Sequence, residues 1–159
     1  MLDEILKNLK NCKENNVYSD GNYEITYETL YKYVKCIYNY ILNNQTTKTP
    51  IIVYGHKSIY MVSCMLACSF AGKPYVPVDT SMPKDRLDRI IEEINPEIIF
   101  ATENIELNNN ITVYKDKIEK ICNERPKKEI FPLMQKEDIY YIIFTSGSTR
   151  YTKRSKNFI

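Results

Sequence analysis

Apolar and polar positions along this chain repeat with two different periods, and the two take turns. Leu2, Ile5, Leu6 and Leu9 share one helical face and predict a short helix over 1–13. Asp20-Gly21 sits between the β-prone runs 17–19 and 23–25, which predicts a hairpin. Thr26 is placed to cap the helix that follows, where Leu30, Val34, Ile37 and Ile41 recur at helical spacing until Asn43-Asn44. The period then collapses into a continuous apolar run, Pro50-Ile51-Ile52-Val53-Tyr54-Gly55, which suits a strand buried on both faces. Ser58 caps a second helix over 59–71. Its apolar residues, Met61, Val62, Met65, Leu66 and Phe70, go nearly all the way round, so it should be deeply packed, with Gly72 as its stop. Tyr75–Val78 reads as a strand. Pro83 opens a helix striped by Leu87, Ile90, Ile91 and Ile94, and Pro96 ends it.

Residues 98–101 return as a strand, 104–110 as an Asn-rich loop, 111–113 as a weak strand and 116–122 as a short helix. A mostly irregular connector follows over 123–138, and a last strand over 139–144. Apolar strands alternating with amphipathic helices require right-handed crossovers. The fold class is therefore α/β, a mostly parallel sheet flanked by helices.

Composition changes this picture little. A chain of 159 residues with 43% hydrophobic and 26% charged residues can bury a real core as one domain. A net charge of +2 does not call for nucleic acid, and no apolar stretch is long enough to insert in a membrane. Acidic residues in Met1–Leu6 argue against a signal peptide and for the cytoplasm. The cysteines Cys12, Cys36, Cys64, Cys68 and Cys122 form no C-x-x-C pair and read as small apolar packing residues.

Candidate chemistry concentrates in one place. Tyr140–Phe144 leads into Thr145, Ser146, Gly147, Ser148 and Thr149, small hydroxyl residues around a glycine. Such a loop can wrap a phosphate, because hydroxyls donate to the oxygens and small side chains let backbone N–H groups come close. It lacks the Walker A spacing. His56, the single histidine, is expected to hydrogen-bond a neighbouring loop, and Asp79 to cap the turn after its strand. Asp85, Arg86, Asp88 and Arg89 read as a solvated helix face. None of these residues suggests a metal site or a catalytic residue.

Three ordered segments resemble the adenylate-forming (AMP-binding) ligases. Tyr141–Thr149 is similar to the first half of their nucleotide-binding core motif. Gly72-Lys73-Pro74-Tyr75-Val76-Pro77-Val78-Asp79 with Pro83 and Arg86 resembles the A-G-x-x-Y-V-P-x-D…P-x-x-R segment of amino-acid-activating members, and Ile25-Thr26-Tyr27 with Leu30 resembles their T-Y-x-x-L segment. Pro50–His56 is most similar to the D-alanine–D-alanyl carrier protein ligases of teichoic-acid metabolism, with nonribosomal peptide synthetase adenylation domains as the near alternative. A non-catalytic nucleotide- or partner-binding module is the reading from a different class.

The resemblance implies the N-terminal subdomain of that fold, truncated. It implies ATP and Mg²⁺ as cofactors, an amino acid activated as its adenylate, and a D-alanyl carrier protein as partner. By it, residues 145–149 would hold the β- and γ-phosphates, and Lys153 is a candidate phosphate contact. It covers 1–149.

Residues 150–159, Arg150 to Ile159, depart from the family's continuation G-x-P-K-G. Codons that encode Arg150–Phe158, read one nucleotide later, can spell Gly-Ile-Pro-Lys-Gly-Val-Lys-Ile. A frameshift just after Thr149 with early termination is therefore the expectation. It puts ATP binding and activity of the chain alone in doubt, and leaves a sheet edge and apolar faces uncovered.

Overall fold

A computed structural model describes residues 1–19, 21, 24–107, 111–135 and 138–144. Helix α1 (Leu2–Asn11) precedes a hairpin of β1 (Asn16–Ser19) and β2 (Glu24–Thr26), paired antiparallel as the Asp-Gly signal requires. Gly21 takes a φ of 89°, a conformation a side chain disfavours. Helix α2 (Tyr27–Asn44) begins where Thr26 Oγ1 accepts the Thr29 amide at 3.3 Å. Strand β3 (Ile51–Gly55) leads to α3 (Ile59–Phe70), capped by Ser58 Oγ accepting from the Met61 amide at 3.2 Å. Strand β4 (Tyr75–Asp79), α4 (Lys84–Ile94), β5 (Ile99–Ala101), β6 (Thr112–Tyr114) and α5 (Lys115–Asn123) complete the order. Asn95, left-handed at φ 45°, stops α4 one residue before Pro96.

The four strands β3–β6 form one parallel sheet in the order β4-β3-β5-β6. Strand side chains alternate between two cores. Ile51, Val53, Phe100 and Val113 face α1, α2, α3 and α5. Ile52, Tyr54, Val76, Val78, Ile99 and Ala101 face α4. All of β3 is buried, which explains its unbroken apolar run. The crossover after β3 lies on one face of the sheet and the crossover after β4 on the other. The strand order turns at β3, so the topological switch point, where open α/β sheets bind ligands, lies at the carboxyl ends of β3 and β5.

Two expectations change. Val62 is 39% exposed, so α3 is not packed all round. The strand expected over 139–144 is a single bridge, with Tyr75 donating to the Tyr140 carbonyl at 3.1 Å and Ile142 donating to the Tyr75 carbonyl at 2.9 Å. The cause lies in β4. The next donor from β4 toward this segment would be the amide of Pro77, and proline has no N–H, so the ladder stops there.

The connector after α5 has no regular structure but is tied down. Asn39, buried in α2, donates Nδ2 to the Lys128 carbonyl at 2.9 Å and accepts the Lys128 amide at 2.8 Å. Ile130 and Met134 plug the first core, while Phe131 and Leu133, between and beside them, are exposed. Ile143 is likewise 48% exposed. No helix is long and apolar enough to cross a membrane among the described residues.

Candidate functional site

The site is built at the carboxyl ends of β3, which borders the switch point, and of its neighbour β4. His56 leaves β3 and Asp79 ends β4. The His56 Nδ1 donates to Asp79 Oδ2 at 2.7 Å, bridging the two strand ends, with both side chains about half exposed. Asp79 Oδ1 accepts the Ser81 amide at 2.9 Å and its carbonyl accepts the Met82 amide at 3.0 Å. Asp79 is thus the turn cap expected of it, and His56 is the structural bridge expected of it, with a carboxylate as its partner. These bonds, His56 first, hold the Asp79 carboxyl well below the ordinary carboxylate range.

That direction has a checkable consequence. A depressed carboxyl stabilises the folded chain fully above its unfolded value, about 3.9, and the contribution disappears as pH falls through the folded value. Asp79→Asn should therefore lower the urea midpoint at pH 7, and the gap to the wild type should close as pH drops below about 4. A gap that is constant with pH would mean the pair contributes nothing.

On the other flank of β4, Tyr140–Phe144 runs parallel to the strand and toward the same carboxyl end. Ile142 and Phe144 pack into the core under α4. The Arg86 guanidinium, in the first turns of α4, donates Nη2 to the Phe144 carbonyl at 3.1 Å. This corrects the reading of Asp85–Arg89 as a purely solvated face. Asp88 pairs at i,i+4 with Lys84, at 2.9 Å, but Arg86 turns inward. The apolar stripe could not show this, because Arg86 adjoins the buried Leu87 and is long enough to reach either way. The phosphate-loop residues Thr145, Ser146, Gly147, Ser148 and Thr149, and Lys153, lie outside the described residues. What the structure places is their point of departure, Phe144, beside the carboxyl end of β4.

Other reactive groups are unsuited to chemistry. Cys64, Cys68 and Cys122 are buried against one another's helices, and desolvation pushes all three thiols up, Cys122 to about 12. They are protonated near neutrality and behave as packing residues, as expected. No group of three or more His, Cys, Asp or Glu able to hold a metal ion occurs among the described residues.

Residues 7–153 match the sequence model of the AMP-binding enzymes. The chain belongs to the AMP-binding enzyme family. Among AMP-binding relatives, the D-alanine–D-alanyl carrier protein ligase of Listeria monocytogenes is 36% identical over 144 residues, 83% of this chain and 28% of that protein. The ligase of the same name from Staphylococcus epidermidis is 41% identical over 107 residues, 66% of this chain and 21% of that protein. The chain thus spans only about a fifth to just over a quarter of the length of these relatives. Among solved structures, the nonribosomal peptide synthetase FmoA3 (S1046A) in its AMPPNP-bound form superposes with a TM-score of 0.78 at 16% identity, covering 91% of this chain and 16% of that one. The N-terminal subdomain of Klebsiella oxytoca NpsA superposes at 0.71 with 19% identity, over 93% and 36%. These likenesses establish the adenylation-domain N-terminal fold for this α/β chain.

Proposed function

We propose that the chain is the N-terminal part of an ATP-dependent ligase that activates D-alanine as its acyl-adenylate. The ligase then transfers it to the phosphopantetheine thiol of a carrier protein in cytoplasmic teichoic-acid D-alanylation. The observation that supports this reading is the arrival of Phe144, the residue before the Ser/Thr/Gly loop, at the carboxyl end of a parallel sheet. That is where the fold class puts a nucleotide. The names of the similar ligases support the substrate and the carrier partner. An adenylation–carrier fusion among the structural neighbours supports the partner again.

In the first step a carboxylate attacks the α-phosphorus of ATP and pyrophosphate leaves. Charge builds on the departing phosphates, so hydroxyls and backbone N–H groups of 145–149 would act by preorganised electrostatics. Mg²⁺, when bound, would neutralise part of that charge. Asp79 already has both carboxylate oxygens engaged, by His56 and by the Ser81 amide.

The chain as written carries the loop without the family's continuation after Thr149, and we propose that residues 150–159 are read out of frame. The test has two parts. The nucleotides after codon 149 are expected to continue an adenylation domain in a shifted frame. ATP–pyrophosphate exchange is expected to be absent from the 159-residue chain and to depend on D-alanine in the longer product of that frame. No such frame, or a longer product that prefers another amino acid, overturns the corresponding part. The second outcome favours a nonribosomal peptide synthetase origin.

A further inference from the structure

We infer that Arg86 is a positioning residue for the phosphate loop: it takes over from the broken β-ladder and sets where that loop leaves the sheet. The inference rests on assigning 145–149 to phosphates, but the grip of Arg86 does not.

Two independent observations meet here. The first is the missing donor. Among the described residues, the Tyr140–Ile142 segment pairs with β4 by one bridge, at Tyr75, and Pro77 has no N–H to offer the Ile142 carbonyl. A strand end released at that point would fray. The second is the replacement. The Phe144 carbonyl, next in line along the same edge, accepts from Arg86 Nη2 at 3.1 Å, a charge-assisted bond in a half-buried setting.

Arg86 is in turn placed by a fixed chain of bonds. His56 holds Asp79, Asp79 caps the turn through Ser81 and Met82, and the Pro83 carbonyl accepts the Arg86 amide at 3.0 Å to start α4. Leu87, fully buried beside it, fixes the rotation of the helix. The exit of the loop is therefore referenced to the ends of β3 and β4 together. A proline on the edge of β4 ends the ladder, and a guanidinium with five donors in a rigid fork holds the residue beyond that end.

The test compares wild type, Arg86→Ala, Arg86→Lys and, as a control on the same helix, Lys84→Ala, by amide hydrogen exchange of the 159-residue chain. Arg86→Ala is expected to speed exchange of peptides spanning 140–149 by about tenfold or more while those of α2 and α3 keep wild-type rates. Arg86→Lys should restore a large part of the protection, since an ammonium can still reach one carbonyl, and Lys84→Ala should change nothing. Unchanged exchange at 140–149 in Arg86→Ala overturns the inference. So does an acceleration spread evenly over the chain, which would mark plain destabilisation.

Repeating the exchange with ATP and Mg²⁺ separates the two readings. If nucleotide slows 140–149 in the wild type, Arg86→Ala should need about tenfold more of it, and Lys should recover this. An equal requirement in Arg86→Ala overturns the positioning role. If nucleotide has no effect on the wild type, the phosphate assignment fails for this chain and the positioning role with it, while the nucleotide-free exchange still decides whether Arg86 anchors the segment.

Discussion

Phe100→Ala is expected to destabilise the chain by about 3–5 kcal/mol. Phe100 lies in the middle of β5, the strand between β3 and β6, and it is fully buried in the core beneath α2 and α3. Its ring meets Tyr40 of α2 in a tilted arrangement with centroids 6.2 Å apart. Truncation removes the transfer energy of the ring and leaves a cavity in the centre of the sheet, where backbone ladders on both sides prevent collapse. Domains of this size are stable by only about 5–15 kcal/mol, so a large fraction is at stake. Urea unfolding followed by far-ultraviolet circular dichroism measures it. Phe131→Ala is the matched control: the same side chain, 67% exposed, whose loss should change stability by less than about 0.5 kcal/mol. Equal effects of the two substitutions would contradict the assignment of the core.

Gly55→Ala is expected to cost about 2–3 kcal/mol, and Thr102→Ala in the same chain to recover much of it. Gly55 closes β3 beside the carboxyl end of β5. A Cβ at this position would stand 1.9 Å from Thr102 Oγ1 and 3.3 Å from Thr102 Cβ. The hydroxyl cannot simply turn aside, since it donates to the Tyr54 carbonyl at 3.2 Å and its side chain is completely buried. Rotating it breaks that bond and forces a β-branched side chain out of its rotamer. The glycine is therefore required by space rather than by φ, and it lets β3 and β5 close together just below His56. A double-mutant cycle of urea midpoints measures the coupling. Additive effects would show that the clash is relieved elsewhere.

Much of the fold was legible because its signals are local. Thr26 and Ser58 are caps by chemistry, and both accept the amide three residues on. The unbroken run 51–55 declared a strand buried on both faces. What was illegible depends on partners far along the chain. The connector after α5 carries no periodic pattern, yet Asn39 binds the backbone of Lys128 across a separation of 89 residues. Arg86 sits on a helix face where a polar residue is expected in either direction, and only the arrival of Phe144 chooses its direction. The strand over 139–144 was overread, because its own residues are β-prone while the limit to pairing belongs to Pro77 in another element.

By itself the amino-acid order determined the helices and the four strands of the sheet, and the α/β class that follows from their alternation. The motifs that mark the AMP-binding family were also contiguous in it. Those properties rest on spacing and on side-chain chemistry within a few residues. The tertiary structure alone decided the order β4-β3-β5-β6, the bridge from His56 to Asp79 and the hold of Arg86 on the Phe144 carbonyl. Each joins groups separated by tens of residues, and their meeting is set by how two cores pack on opposite faces of one sheet.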